Sequence, residues 1–124
     1  MRSFPALMAI PFVGCCVAPA LRITNHTPEK LTITVQEHGE RSRVVSSNRS
    51  VVFPLFYQGR IRVVTAAGII REYPSVRFFD YNGQRSTTWL SGDFPCWRGY
   101  TDAELKPDWT LFYPPIAHHP KIVH

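Results

Sequence analysis

The chain has 124 residues, 44% apolar and 19% charged, an ordinary globular balance that suits a single domain with one core. Its 11 prolines argue against long helices through most of the chain. The net charge of +5 comes largely from arginines (Arg41, Arg43, Arg49, Arg60, Arg62, Arg71, Arg77) scattered among apolar positions, the pattern of solvated strand faces rather than of a nucleic-acid or lipid-headgroup patch.

The chain opens with one arginine, Arg2, and then an uncharged, mostly apolar run from Phe4 to Val13. That length is expected for the apolar part of an export signal and is too short to span a bilayer. Pro5 and Pro11 interrupt it, and the alternative to an export signal is a buried first strand or helix of a cytosolic, non-exported domain. Two processing sites follow. Ala18-Pro19-Ala20 fits the pattern of small residues at alternate positions that signal peptidases cleave, which would make Leu21 the first mature residue. The rival is Phe12-Val13-Gly14-Cys15, which resembles the lipobox of bacterial lipoproteins, with Phe12 where that family prefers leucine. The resemblance implies cleavage before Cys15, lipidation of its thiol and a lasting membrane hold through the acyl chains. Cys16 and Cys96 are then the remaining thiols and a candidate disulfide. Adjacent cysteines lack the C-x-x-C spacing that lets two thiolates converge on one metal ion, and no cofactor is expected.

From Leu21 the apolar residues alternate: Leu21 and Ile23; Leu31, Ile33 and Val35; Val51, Phe53 and Leu55; Ile61 and Val63. This is the period of half-buried strands. Turn-forming residues at 25–30, 37–40, 46–49, 57–59, 67–68 and 81–83 separate the runs. The spacing predicts strands at 21–25, 31–37, 41–45, 51–57, 60–65, 69–73 and 75–79, six or seven short antiparallel elements. The fold class is therefore mainly β: a small antiparallel, Ig-like sandwich, with an open barrel as the alternative. Pro54 places the fourth strand at an edge or in a bulge, because proline cannot donate to a ladder.

After Gly83 the alternation stops. The 25 residues from Trp89 to Tyr113 hold seven aromatics, including all three tryptophans, interleaved with Asp93, Asp102, Glu104 and Asp108. Large side chains in such a segment either close over a core or form a platform on which a sugar or peptide stacks. Trp97 and Trp109, placed among apolar neighbours, are expected to be structural; Trp89, Asp93 and Tyr100 are the candidate ligand-binding residues. Thr101 and Glu104 have the spacing of a helix capping box. The sequence thus divides into a leader at 1–20, an antiparallel β core at 21–82, an irregular aromatic-rich segment at 83–113 packed on that core, and a flexible Pro/His tail at 114–124.

Catalytic framing is weak. Ser91, Asp93 and His118 contain the atoms of a triad without a nucleophile elbow around the serine. Asp102 with Glu104, or Asp93 with Asp108, are carboxylate pairs that read as loop charges, and His118, His119 and His124 lack a preorganised third ligand. Asn25-His26-Thr27 and Asn48-Arg49-Ser50 match the glycosylation acceptor pattern. The expectation is a non-enzymatic protein of the cell envelope, anchored to the membrane by lipid and presenting a small β domain to an envelope protein or surface polymer. The alternatives are an unanchored secreted or periplasmic ligand-binding module and, third, a small hydrolase.

Overall fold

The computed structural model describes residues 17–78, 89–91 and 97–124; for 17, 18, 89–91 and 97–99 it describes the backbone alone. Eleven strands form among these residues: β1 (Val17–Asn25), β2 (Leu31–Gln36), β3 (Glu40–Val45), β4 (Ser50–Pro54), β5 (Gln58–Thr65), β6 (Ile70–Arg77), β7 (Trp89–Ser91), β8 (Trp97–Leu105), β9 (Leu111–Tyr113), β10 (Ile116–His118) and β11 (Lys121–Val123). They make two sheets, a β-sandwich that does not close into a barrel. One sheet has the order β10-β9-β8-β1-β4, with β7 pairing the start of β8; the other has the order β11-β6-β5-β2-β3. All pairings are antiparallel except β1 with β8, which run parallel from Val17 opposite Trp97 to Asn25 opposite Leu105.

The alternation read from the sequence becomes the core. Leu21, Ile23, Val51, Phe53, Ala103, Leu105, Leu111 and Tyr113 from one sheet meet Leu31, Ile33, Val35, Val45, Ile61, Val63, Tyr73 and Val76 from the other, with Phe56 closing one end. Burying each large aliphatic or aromatic side chain contributes about 1.5–3 kcal/mol.

Two prolines sit where the ladder can spare a donor. Pro54 ends β4, which pairs with β1 alone and is a sheet edge. Pro74 lies inside β6, which joins the two strands expected at 69–73 and 75–79; between Val76 opposite Gly59 and Tyr73 opposite Ile61, β6 carries one residue more than β5. The bulge absorbs the missing N–H. Gly59 is required beside it, because a Cβ there would stand 2.7 Å from the Gln36 carbonyl oxygen. The β4 edge is covered by side chains of β3: Arg41 donates to the Pro54 carbonyl and Arg43 Nη1 to the Val52 carbonyl at 3.2 Å. Capping these carbonyls blunts the edge against strand addition.

Downstream the structure departs from the reading. Residues 101–105, spaced like a capping box, belong to β8: Thr101 faces the core and is buried, while Glu104 faces outward toward Lys106. The segment expected to be irregular contains β7, β8 and β9, and β8 lies at the centre of its sheet. The tail expected to be flexible forms β10, a hairpin with β9, and then β11, which crosses to the other sheet and pairs with β6. β10 finds its partner in the sequence beside it, whereas β11 finds its partner in the other sheet. At the other end of the chain, β1 begins at Val17, inside the stretch read as a leader. No helix among the described residues is long and apolar enough to cross a membrane.

Candidate functional site

The described side chains of the aromatic segment are mainly structural. Tyr113 is buried, and Trp109 packs against the core cluster with the Arg71 guanidinium 3.9 Å from its ring centroid. The Tyr73 hydroxyl donates to the Trp109 carbonyl, and Tyr113 Oη donates to the Arg77 carbonyl at 2.8 Å. Tyr100 is half-buried beside Arg22, whose guanidinium carbon stands 5.4 Å from the ring centroid. Of the other two candidate ligand-binding residues, Trp89 is described by its backbone in β7, opposite Gly99, and Asp93 lies outside the described residues. Cys15, Cys16 and Cys96 also lie outside them.

Among the described residues, the carboxylates considered for acid–base chemistry, Asp102, Glu104 and Asp108, hold ion pairs or turns. Arg22 forms a two-pronged pair with Asp102, and these hydrogen bonds hold the guanidinium still more firmly in its charged form. Glu104 stands 3.2 Å from Lys106 Nζ and 3.8 Å from His26 Nε2. Asp108 Oδ1 accepts from the Thr110 backbone N–H at 3.0 Å, and hydrogen bonding from Thr110 keeps its carboxyl below the usual range. Of the triad atoms, His118 lies in β10 against Tyr113, their ring centroids 6.5 Å apart; Asp93 and the Ser91 side chain lie outside the described residues. Among the described residues no group of three or more His, Cys, Asp or Glu is gathered to hold a metal ion.

Asn25 is no glycosylation site in the fold. It is fully buried, its Oδ1 accepting from the Thr27 N–H at 2.9 Å and the Thr27 hydroxyl at 2.6 Å, its Nδ2 donating to the Glu29 carbonyl at 2.8 Å. Asn48, the second acceptor, is exposed at a left-handed φ of 62°.

A feature that alternation does not reveal lies at the end of the sandwich where β1 begins. Here the 55–57 turn meets the start of β1: Ala20 pairs with Pro54, and the Phe56 N–H donates to the Pro19 carbonyl at 3.1 Å. The 37–39 turn and the ends of β5 and β6 lie at the same end, since Gln36 pairs with Arg60 and Gln58 with Arg77. Together they line a cleft of about 540 Å³ whose walls include His38, Tyr57, Gln58, Arg60 and Ser75. Glu37 organises it. Its carboxylate accepts from the Tyr57 N–H at 2.9 Å, the Gln58 N–H at 3.1 Å and Arg41 Nη2 at 3.2 Å. Tyr57, which lines the cleft, is 48% exposed, and Leu55, two residues before it in the same turn, is 57% exposed at a left-handed φ of 56° that is unfavourable for a leucine. No such site was expected from the sequence, where Leu55 reads as a third inward residue of its strand.

No family matches the chain, and neither a curated protein nor a solved structure matches it.

Proposed function

We propose that the chain is a non-enzymatic, lipid-anchored protein of the cell envelope, lipidated at Cys15 and presenting its β-sandwich to another envelope protein or a surface polymer. The observation that carries this reading is the start of β1. Cleavage after Ala20 would remove Val17, Ala18, Pro19 and Ala20 from a strand paired on both sides, including the buried Ala20 and the Pro19 carbonyl that accepts from Phe56. Cleavage before Cys15 leaves the whole strand with the domain. Retention of this strand supports the lipobox-like pattern over cleavage after Ala20.

The pairing of β1 with β8 also supports a Cys16–Cys96 disulfide. Val17 lies opposite Trp97 in adjacent parallel strands, and each follows a cysteine in the sequence. Neighbouring strands are spaced within the Cα separation a disulfide spans. Such a bridge closes a loop of about 80 residues and contributes on the order of 4 kcal/mol if unstrained, and it belongs to an oxidising compartment.

The test is metabolic labelling with a fatty-acid analogue in the wild type and in Cys15→Ser. Label in the wild type that disappears from the variant supports the reading; equal label in both, or none in either, refutes it.

A further inference from the structure

We propose, resting on lipidation at Cys15, that the end of the sandwich bearing Leu55 and Tyr57 docks on the phospholipid headgroups of the anchoring membrane, with Arg60 and His38 facing the phosphates. The tether sets the geometry. Two steps separate Cys15 from Val17, where β1 begins, and an extended chain covers at most about 3.6 Å per residue. The span of about 7 Å is comparable to the thickness of one headgroup layer. The start of β1 therefore cannot stand clear of the interface, and whatever shares that end of the sandwich is held there with it.

The groups at that end suit the position. The Phe56 N–H bond to the Pro19 carbonyl fixes the 55–57 turn beside the tether, and this turn holds Leu55 and Tyr57 outward at 57% and 48% exposure. Leucine adopts a left-handed φ at a cost, which here keeps an aliphatic side chain pointing away from the core. A tyrosine places its ring at the apolar boundary and its hydroxyl among headgroups. Arg60 and His38, both exposed, line the adjoining cleft. Among the described residues Arg60 makes no ion pair, and Glu37, a carboxylate lining the same cleft, is taken by two backbone N–H groups and Arg41. A guanidinium so placed suits a phosphodiester. Exposed Val44 and Ile69 lie toward the opposite end, as the pairings of Thr32 with Val44 and of Val64 with Ile70 show, and serve as internal controls.

The experiment uses the full mature protein with its acyl anchor, in vesicles of phosphatidylethanolamine and phosphatidylglycerol. Hydroxyl-radical footprinting reads protection at each residue, and mass spectrometry of the same sample reads the lipid on Cys15. Leu55 is more exposed than Ile69 in the free fold, so equal or greater oxidation of Leu55, after correction for intrinsic reactivity, overturns docking while leaving the anchor intact. Docking predicts the reverse order, with Leu55 and Tyr57 protected about five-fold relative to Ile69. Absence of lipid on Cys15 refutes the anchor, and docking with it. A double variant, Leu55→Ser with Arg60→Ser, separates docking from proximity: it keeps the acyl group and vesicle attachment but loses most of the protection at Tyr57. Undiminished protection of Tyr57 in that variant means that the tether alone shields this end, and overturns the proposal.

Discussion

The Arg71 guanidinium carbon stands over the Trp109 ring, 3.9 Å from its centroid, and Arg71 Nη1 is buried with no hydrogen-bond partner among the described residues. The ring face compensates part of the cost of burying that charge. Arg71 belongs to β6, whereas Trp109 lies in the turn between β8 and β9, so the contact joins the two sheets.

Trp109→Ala should therefore be among the costlier substitutions. A buried tryptophan cut to alanine loses about 3–5 kcal/mol, and the partial burial of this ring puts it near the lower figure. Chemical denaturation of the single variants and of Arg71→Ala/Trp109→Ala should show a coupling of about 1 kcal/mol between the two positions. Additive losses would mean that the cation–ring contact contributes nothing beyond area.

The β core was legible because large inward residues alternate with polar ones between Leu21 and Val63. β8 was not. Its inward positions Thr101, Ala103 and Leu105 hold only one large apolar residue, so the alternation is faint until Leu21, Ile23 and the opposite sheet supply the bulk around them. The local Thr-x-x-Glu spacing is that of a helix start, and tertiary pairing overrides it. β10 and β11 are three residues each, with partners distant in sequence for β11, so no local pattern announces them. The cleft beside the 55–57 turn was illegible for a related reason: continuing the alternation through Leu55 turns that residue inward, whereas the chain reverses there at a positive φ.

Asn25 should tolerate neither alanine nor aspartate. Alanine strands the Thr27 N–H and hydroxyl, and aspartate buries a charge while losing the donor to the Glu29 carbonyl; each should cost about 2–3 kcal/mol. Secreted from a eukaryotic cell, the folded chain should carry a glycan at Asn48 and none at Asn25, which peptide mapping reads directly.

Burial pushes the Tyr73 hydroxyl pKa above its ordinary 10, with nearby Arg71 opposing and Asp108 reinforcing the shift. Above about pH 10 the unfolded chain gives up this proton while the folded chain keeps it, so the unfolded state binds fewer protons and stability falls as pH rises. Tyr73→Phe loses the bond to the Trp109 carbonyl and about 1 kcal/mol at neutral pH, yet its stability should decline less steeply from about pH 9.5 to 11. Denaturant titrations across that range provide the comparison; parallel curves would show that Tyr73 titrates alike in both states.

The disulfide is tested by alkylating the denatured, non-reduced mature protein. With Cys15 lipidated and Cys16 paired to Cys96, no thiol is modified before reduction and two are modified after it. Two modified cysteines before reduction would exclude the bridge.

The central claim is tested most directly by mass spectrometry of the mature protein recovered from the membrane fraction. Lipidation at Cys15 predicts a chain whose first residue is Cys15 carrying a diacylglyceryl group, with Val17 and the rest of β1 retained. A chain beginning at Leu21, or one keeping Met1 with an unmodified Cys15, would contradict it.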